Sequence, residues 1–258
     1  MDYQLNKTGK KVYFASDLHL GLPDYEKSLE REKLFVKWLD EIREDAHSIY
    51  LLGDIFDFWH EWKRSAPQGF VRLLGKIAEI TDSGIPVHYF TGNHDIWVKK
   101  YLPHEIGVIL HREEFTTELF GKQIFMAHGD GLGPGDPGYK LLKKIFTNKF
   151  LQWCFSRLHP DFALWIGHSW SHNRRMAERY PVFHGEKGEW LIQYSKEKLK
   201  TAHFDYFIYG HRHLPGIHPI GKSSTYINLG DWLSNFTYGV FDGERFMLKS
   251  YHNLKTEN

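Results

Sequence analysis

The 258 residues carry 33 Lys and Arg against 32 Asp and Glu, a net charge of +1, with 41% hydrophobic and 25% charged residues. That balance suits a globular chain long enough to bury a sizeable core, and it excludes a grossly basic nucleic-acid binder, so no nucleic-acid partner is expected. One cysteine, Cys154, excludes an intrachain disulfide and argues against a thiolate metal site.

The opening MDYQLNKTGKK has no apolar run behind its lysines, which argues against a secretory signal. No stretch approaches the ~18 uninterrupted apolar residues that cross a bilayer. The expected compartment is the cytoplasm, and no obligate protein partner is evident.

Lys11–Ser16 reads as a short buried strand, and Leu29–Arg43 as a helix with Leu34, Trp38 and Ile42 on one face. Ser48–Leu52 is a second strand, Phe70–Ile80 a second helix and Pro86–Thr91 a third strand. This repetition indicates a layered α/β fold. From Glu114 the pattern alternates with period two, and Gly121-Lys122 reads as a hairpin turn. The tail from residue 203 is strand-rich again, with a turn at Asp242-Gly243. Between these parts lies a helix-leaning, aromatic and basic segment. The expected organisation is therefore a body of residues 1–136 and 201–258 with a helical lid inserted at 137–200.

The chemistry collects where strands stop. The first strand ends at Asp17-Leu18-His19 and the second at GDIFD, with Asp54 and Asp57. The third ends at GNHD, with Asn93, His94 and Asp95. IFMAHGD then delivers His128, and FIYGHRH delivers His211 and His213. In open α/β sheets, sites form outside the carboxyl ends of the strands. The donors are oxygen and nitrogen without sulfur, a set that suits Mn²⁺, Fe²⁺ or Zn²⁺. There are too many for one ion, whereas two ions sharing a carboxylate use them all. No Gly-x-Ser-x-Gly elbow, P-loop or Gly-x-Gly-x-x-Gly competes with this reading.

D-x-H, G-D-x-x-D, G-N-H-D, H-G and G-H-x-H, in that order, resemble the calcineurin-like metallophosphoesterases. The resemblance implies a layered αββα sandwich with the helical lid inserted in it. It places one divalent ion on Asp17, His19, Asp54 and His213, and a second on Asp54, Asn93, His128 and His211, with Asp54 bridging. His94 becomes a charge stabiliser or proton donor, and Asp57 and Asp95 orient the ligands or their loops. The metal is expected to be Mn²⁺, with Fe²⁺ or Zn²⁺ as alternatives.

Within that family, HGDGLGPGDPGYK is similar to the branch that hydrolyses UDP-2,3-diacylglucosamine in lipid A biosynthesis, although its well-studied members carry Arg where this chain has His94. The similarity implies a UDP-linked diacylated sugar lipid as substrate, held in part by Asp136. Residues 139–200 carry 12 Lys and Arg against 5 Asp and Glu. They also carry Trp153, Phe155, Phe162, Trp165 and Trp170, as a protein lying against the anionic cytoplasmic face of the inner membrane would. The aromatics could equally grip acyl chains or pack helices onto the body. Arg174 and Arg175 are the expected phosphate contacts there. The alternative is another two-metal phosphoesterase: a nucleotide phosphodiesterase, a nuclease or a phosphatase.

Overall fold

The computed structural model describes residues 9–134, 137–177 and 182–251, with the side chains at 168 and 170–177 outside the description. Two mixed β-sheets lie face to face. In the first half, β1 (Lys11–Ala15), β2 (Ala46–Leu52), β3 (Val87–Phe90) and β4 (Ile109–His111) run parallel to one another. Helices α1 (Tyr25–Ile42) and α2 (Val71–Asp82) supply the first two crossovers. A π-helical turn, Leu102–Ile106, precedes β4.

The hairpin β5 (Phe115–Leu119) and β6 (Lys122–Ala127) starts the second sheet. A helical stretch follows: α3 (Pro137–Thr147), α4 (Lys149–Phe155), α5 (Pro160–Ala177), the short α6 (Gly185–Gly188) and α7 (Trp190–Lys198). The chain closes with β7 (Tyr206–Tyr209), β8 (Gly216–Ile220), β9 (Ser224–Asn228), β10 (Thr237–Phe241) and β11 (Phe246–Ser250). The sheet orders are β11-β10-β1-β2-β3-β4 and β5-β6-β7-β9-β8.

Period-two alternation divides each strand between two cores. On β1, Tyr13 and Ala15 face Phe35, Trp38, Leu39 and Ile42 of α1, while Val12 and Phe14 face the second sheet. On β6 and β7, Ile124, Met126 and Ile208 fill the layer between the sheets, and Phe125, Ala127, Phe207 and Tyr209 face outward. Leu191 and Ile192 of α7 cover that outer face and are fully buried. The result is the expected αββα sandwich. The last helix of the 137–200 segment thus shares a core with the body.

Local chemistry set several boundaries that the sequence reading placed differently. Helix α1 begins at Tyr25 rather than Leu29, because Asp24 caps it by accepting from the Lys27 backbone N–H at 2.9 Å. Asp24→Ala is expected to cost about 1 kcal/mol and to lower Tm by about 2–4 °C, read by thermal denaturation. The β5–β6 turn is Phe120-Gly121, not Gly121-Lys122, since Leu119 pairs with Lys122. Both turn residues are left-handed (φ 50° and 79°), as a tight hairpin of this twist requires.

Candidate metal centre

The carboxyl ends of β1, β2, β3, β6 and β7 each release a loop into one rim, and the loops are stitched together by main-chain hydrogen bonds. Asp17 N donates to Gly53 O at 3.0 Å and His19 N to Asp54 O at 2.9 Å. Gly210 N donates to His128 O at 3.0 Å, and Trp232 N to Asp17 O at 3.1 Å. The crossing is tight enough to demand glycine twice. A Cβ on Gly92 would collide with the Asp54 carboxylate, and one on Gly53 would lie 2.6 Å from His128 Nδ1.

Backbone strain collects in the same place. Asp17, His19, Asp54, His211 and His213 all adopt left-handed φ, between 46° and 65°. Such conformations cost non-glycine residues energy and persist only where surroundings over-determine them. Five of the seven expected ligands share this property.

The side chains converge accordingly. His213 Nε2 lies 3.0 Å from Asp17 Oδ1 and 3.3 Å from His19 Nε2. His19 Nε2 is 3.7 Å from both Asp17 Oδ1 and Asp54 Oδ2. On the other side of Asp54, Oδ2 is 3.3 Å from His128 Nε2, which is 3.2 Å from Asn93 Oδ1. Asp17, His19 and His213 form one group with ligand atoms mutually within 4.8 Å. Asp54, His128 and His211 form a second, and His19, Asp54 and His94 a third. Every residue expected at the two ions is therefore brought to one rim, with Asp54 between the groups.

The donor set fits divalent cations. Asp17 and Asp54 are buried, and Asp17 Oδ1 accepts no hydrogen bond among the described residues although two imidazoles crowd it. Buried carboxylates facing each other need positive charge. Burial tends to raise the Asp54 pKa, but the charges of His128 and His94 outweigh it and hold the carboxyl well below its usual range. Burial likewise opposes charge on His128, yet Asp54 and Asp17 push its pKa up to about 10. His211, buried and beside that cation, falls to about 4. Cys154 is exposed on α4, far from this chemistry in kind as well as in sequence.

The supporting shell is specific. His128 Nδ1 donates to Leu52 O at 2.7 Å, which turns Nε2 toward Asp54. His94 Nδ1 donates to Asp57 O at 3.0 Å, and the Asp57 carboxylate lies 3.8 Å from His19 Nδ1. Asp95 accepts from the backbone N–H of Gly92 and Ile55 and from Tyr89 OH, so it ties the β2 and β3 loops together. Burial and repulsion from Asp54 raise its pKa to about 6.

Two further residues went unnoticed in the sequence. Asp231 caps the turn at Leu233, Ser234 and Asn235 and lies 4.0 Å from His213 Nδ1, while Asn235 Nδ2 donates to His213 O at 3.2 Å. The Gly-Asp after β9 was their signal, a sixth strand ending of the same kind. Asp136 and the side chains of Arg174 and Arg175 lie outside the described residues.

Beside the rim is a cavity of about 250 Å³ lined by Asn93, His94, Phe58, Trp97, Phe146 and Phe155 among others. The α3–α4 corner is pinned against it, with Trp97 Nε1 donating to Phe146 O at 2.7 Å. Ser156 Oγ donates to Gln152 O at 2.7 Å, so His60 Nε2 must donate to Ser156 Oγ at 3.1 Å, while the buried Nδ1 has no acceptor among the described residues for a second proton. Burial, then the charge of Lys99, lowers the His60 pKa to about 3. The unfolded chain binds this proton below about 6.5 and the folded chain does not. Stability is therefore fully present above that pH and is lost as pH falls toward 3. His60 is expected to contribute up to about 1.4 kcal/mol per pH unit in that window. Urea unfolding at pH 5 and 7 checks it: His60→Asn should flatten the dependence.

Comparison with known proteins adds lineage to this geometry. The sequence profile described as calcineurin-like phosphoesterase matches residues 10–215. A Porphyromonas gingivalis protein named UDP-2,3-diacylglucosamine hydrolase is 33% identical over 95% of this chain and 99% of its own. Proteins of the same name are 29% identical in Histophilus somni (86% of this chain, 92% of theirs) and 27% in Vibrio atlanticus (93% and 97%).

Proposed function

We propose, from the premise that this chain belongs to the calcineurin-like phosphoesterase family, that it hydrolyses the pyrophosphate of UDP-2,3-diacylglucosamine to UMP and 2,3-diacylglucosamine 1-phosphate, a step of lipid A biosynthesis. The relatives' shared name supports the substrate. The observation that carries the reading is a junction: His94 and Asn93 belong both to the polar rim and to the wall of an apolar cavity. A phosphoanhydride attached to acyl chains is a substrate that needs both surfaces at once.

In this reading Asp17, His19, Asp54 and His213 hold one cation, and Asp54, Asn93, His128 and His211 hold the other. Manganese is the metal, with iron or zinc also compatible with such donors. When bound, the pair supplies Lewis acidity, lowering the pKa of a water to near neutrality and drawing charge from the phosphoryl oxygens.

The remaining work falls to the chain itself. Asp54 fixes the spacing of the two groups, and its Oδ1 accepts from the His94 N–H at 2.8 Å, so the bridging carboxylate also positions the proton donor. His94, oriented through Nδ1, is the group that protonates the leaving phosphate oxygen as the anhydride breaks. Asn93 adds oxygen without charge, limiting repulsion of an anionic substrate. Asp57 and Asp95 hold the ligand loops. Asp136 binds the glucosamine, and Arg174 and Arg175 the phosphates.

Helices α3 to α5 act as the lid while α7 stays packed on the body, and the enzyme lies on the cytoplasmic face of the inner membrane. Among the described residues no helix is long and apolar enough to cross a membrane. Phe150, Trp153, Phe162 and Trp165 are all more than half exposed on α4 and α5. Exposed aromatics in a segment that also carries Lys144 and Lys149, with Arg157 Cζ 4.8 Å over the Trp153 ring, support an anionic lipid surface as their counterpart.

The test is a substrate panel with Mn²⁺: the UDP-diacylglucosamine lipid, a cyclic dinucleotide and a generic phosphodiester. Turnover of the lipid well above the others is expected. Turnover of the generic ester alone would remove the substrate assignment and leave the reaction class.

A further inference from the structure

Arg212 stands between His211 and His213, yet its side chain is engaged elsewhere. Its guanidinium grips Glu189 at two points, Nε to Oε2 and Nη2 to Oε1, each 3.0 Å. Nη2 also donates to Val182 O at 3.0 Å, and Cζ lies 4.5 Å over the Trp190 ring. Glu189 is almost fully buried, and it accepts from the His184 N–H at 3.0 Å as well. The chemistry proposed above uses neither residue.

The histidines on either side are both left-handed, at φ 65° and 51°. Their loop is held at its edges by His211 N donating to Asp17 Oδ2 at 2.9 Å and by Asn235 on His213 O. Its middle is held by the Arg212 fork. A two-point Arg–carboxylate pair fixes orientation as well as distance, which a single-point lysine contact does not. The anchor is rigid, because Glu189 immediately precedes α7, whose Leu191 and Ile192 are buried in the outer core. A buried ion pair is a poor source of net stability, so geometric control is the better account of its presence.

We infer that Glu189 is a positioning residue: by clamping Arg212 it holds His211 and His213 in their left-handed conformations, and so sets the affinity of the site for its cations. This rests on the two-cation reading. Groups that orient ligands typically govern metal affinity by about 10–100-fold.

The experiment is calorimetric titration of metal-free protein with Mn²⁺, alongside thermal denaturation without metal. Glu189→Gln and Arg212→Lys are each expected to weaken Mn²⁺ binding by about 10–100-fold. Arg212→Lys keeps the charge but loses the fork, so it tests geometry in a variant that should still fold. The double variant Glu189→Leu with Arg212→Met leaves no unpaired buried charge, so its metal-free Tm should recover toward wild type while Mn²⁺ binding stays at least about tenfold weak. Recovery of both in the double variant, or wild-type binding by Arg212→Lys, would overturn the inference and make the pair purely structural. Wild-type protein that binds none of Mn²⁺, Fe²⁺ or Zn²⁺ would instead overturn the two-cation reading, and the inference with it.

Discussion

Replacing Asp54 by Asn is expected to reduce turnover by about 10³-fold or more while leaving the protein folded. One amide substitution removes the carboxylate proposed to bridge the two cations, which lies 3.7 Å from His19 Nε2 on one side and 3.3 Å from His128 Nε2 on the other. It also gives His128 Nε2, now 3.3 Å from Asp54 Oδ2, an amide neighbour where it had an anion. The lost term is electrostatic and acts in a buried site, where single preorganised groups are worth about 10²–10³ in rate; a ligand that would serve both cations should exceed that range when lost. Folding should survive, because Asn fits the same space and relieves the repulsion between Asp54 and its buried carboxylate neighbour Asp95. Initial rates at saturating Mn²⁺, with Tm of the metal-free protein as control, measure it. Activity within tenfold of wild type would contradict the mechanism.

Replacing Trp153 and Trp165 together by Glu should divide the activities of the enzyme. Both are more than half exposed, on α4 and α5. Burying about 50–100 Å² of each ring in a lipid interface is worth about 1–2 kcal/mol per residue, so the pair should shift vesicle binding at least about thirtyfold. Hydrolysis of a small soluble phosphodiester should be unchanged, since neither residue lines the rim or its cavity. Sedimentation with vesicles containing anionic phospholipid reads the first quantity and a chromogenic diester the second. Equal loss of both would mean that the aromatics pack the helices rather than meet lipid.

How far the sequence carried the fold depended on whether a signal was local. Each of β1, β2, β3, β6 and β7 is an apolar run that stops at Asp, Asn or His, so period and chemistry coincided and the site residues could be marked strand by strand. What brings them together is not local. Asp17 and His213 are 196 positions apart and meet only because the β1 and β7 loops cross at Gly210, where a Cβ would press on Ser16 and Asp17. Asp231 and Asn235 were missed because a lone Gly-Asp resembles any turn. Helix α7 was read with the helices before it, since Lys196 and Lys198 look like the rest of the basic segment. Its adjacent Leu191 and Ile192 give little periodicity, and only the apolar outer face of β6 and β7, which they cover, explains them. Glu189 and Arg212 were equally silent, because an ion pair across 23 residues leaves no pattern.

Cys154 offers a practical return. It is the chain's sole thiol, it is exposed, and it adjoins Trp153 on α4. A maleimide fluorophore would therefore attach at one address without any engineering, beside an aromatic ring proposed above to enter lipid. Its emission colour on adding liposomes would report how deep that helix sits, turning a question of orientation into a spectrum.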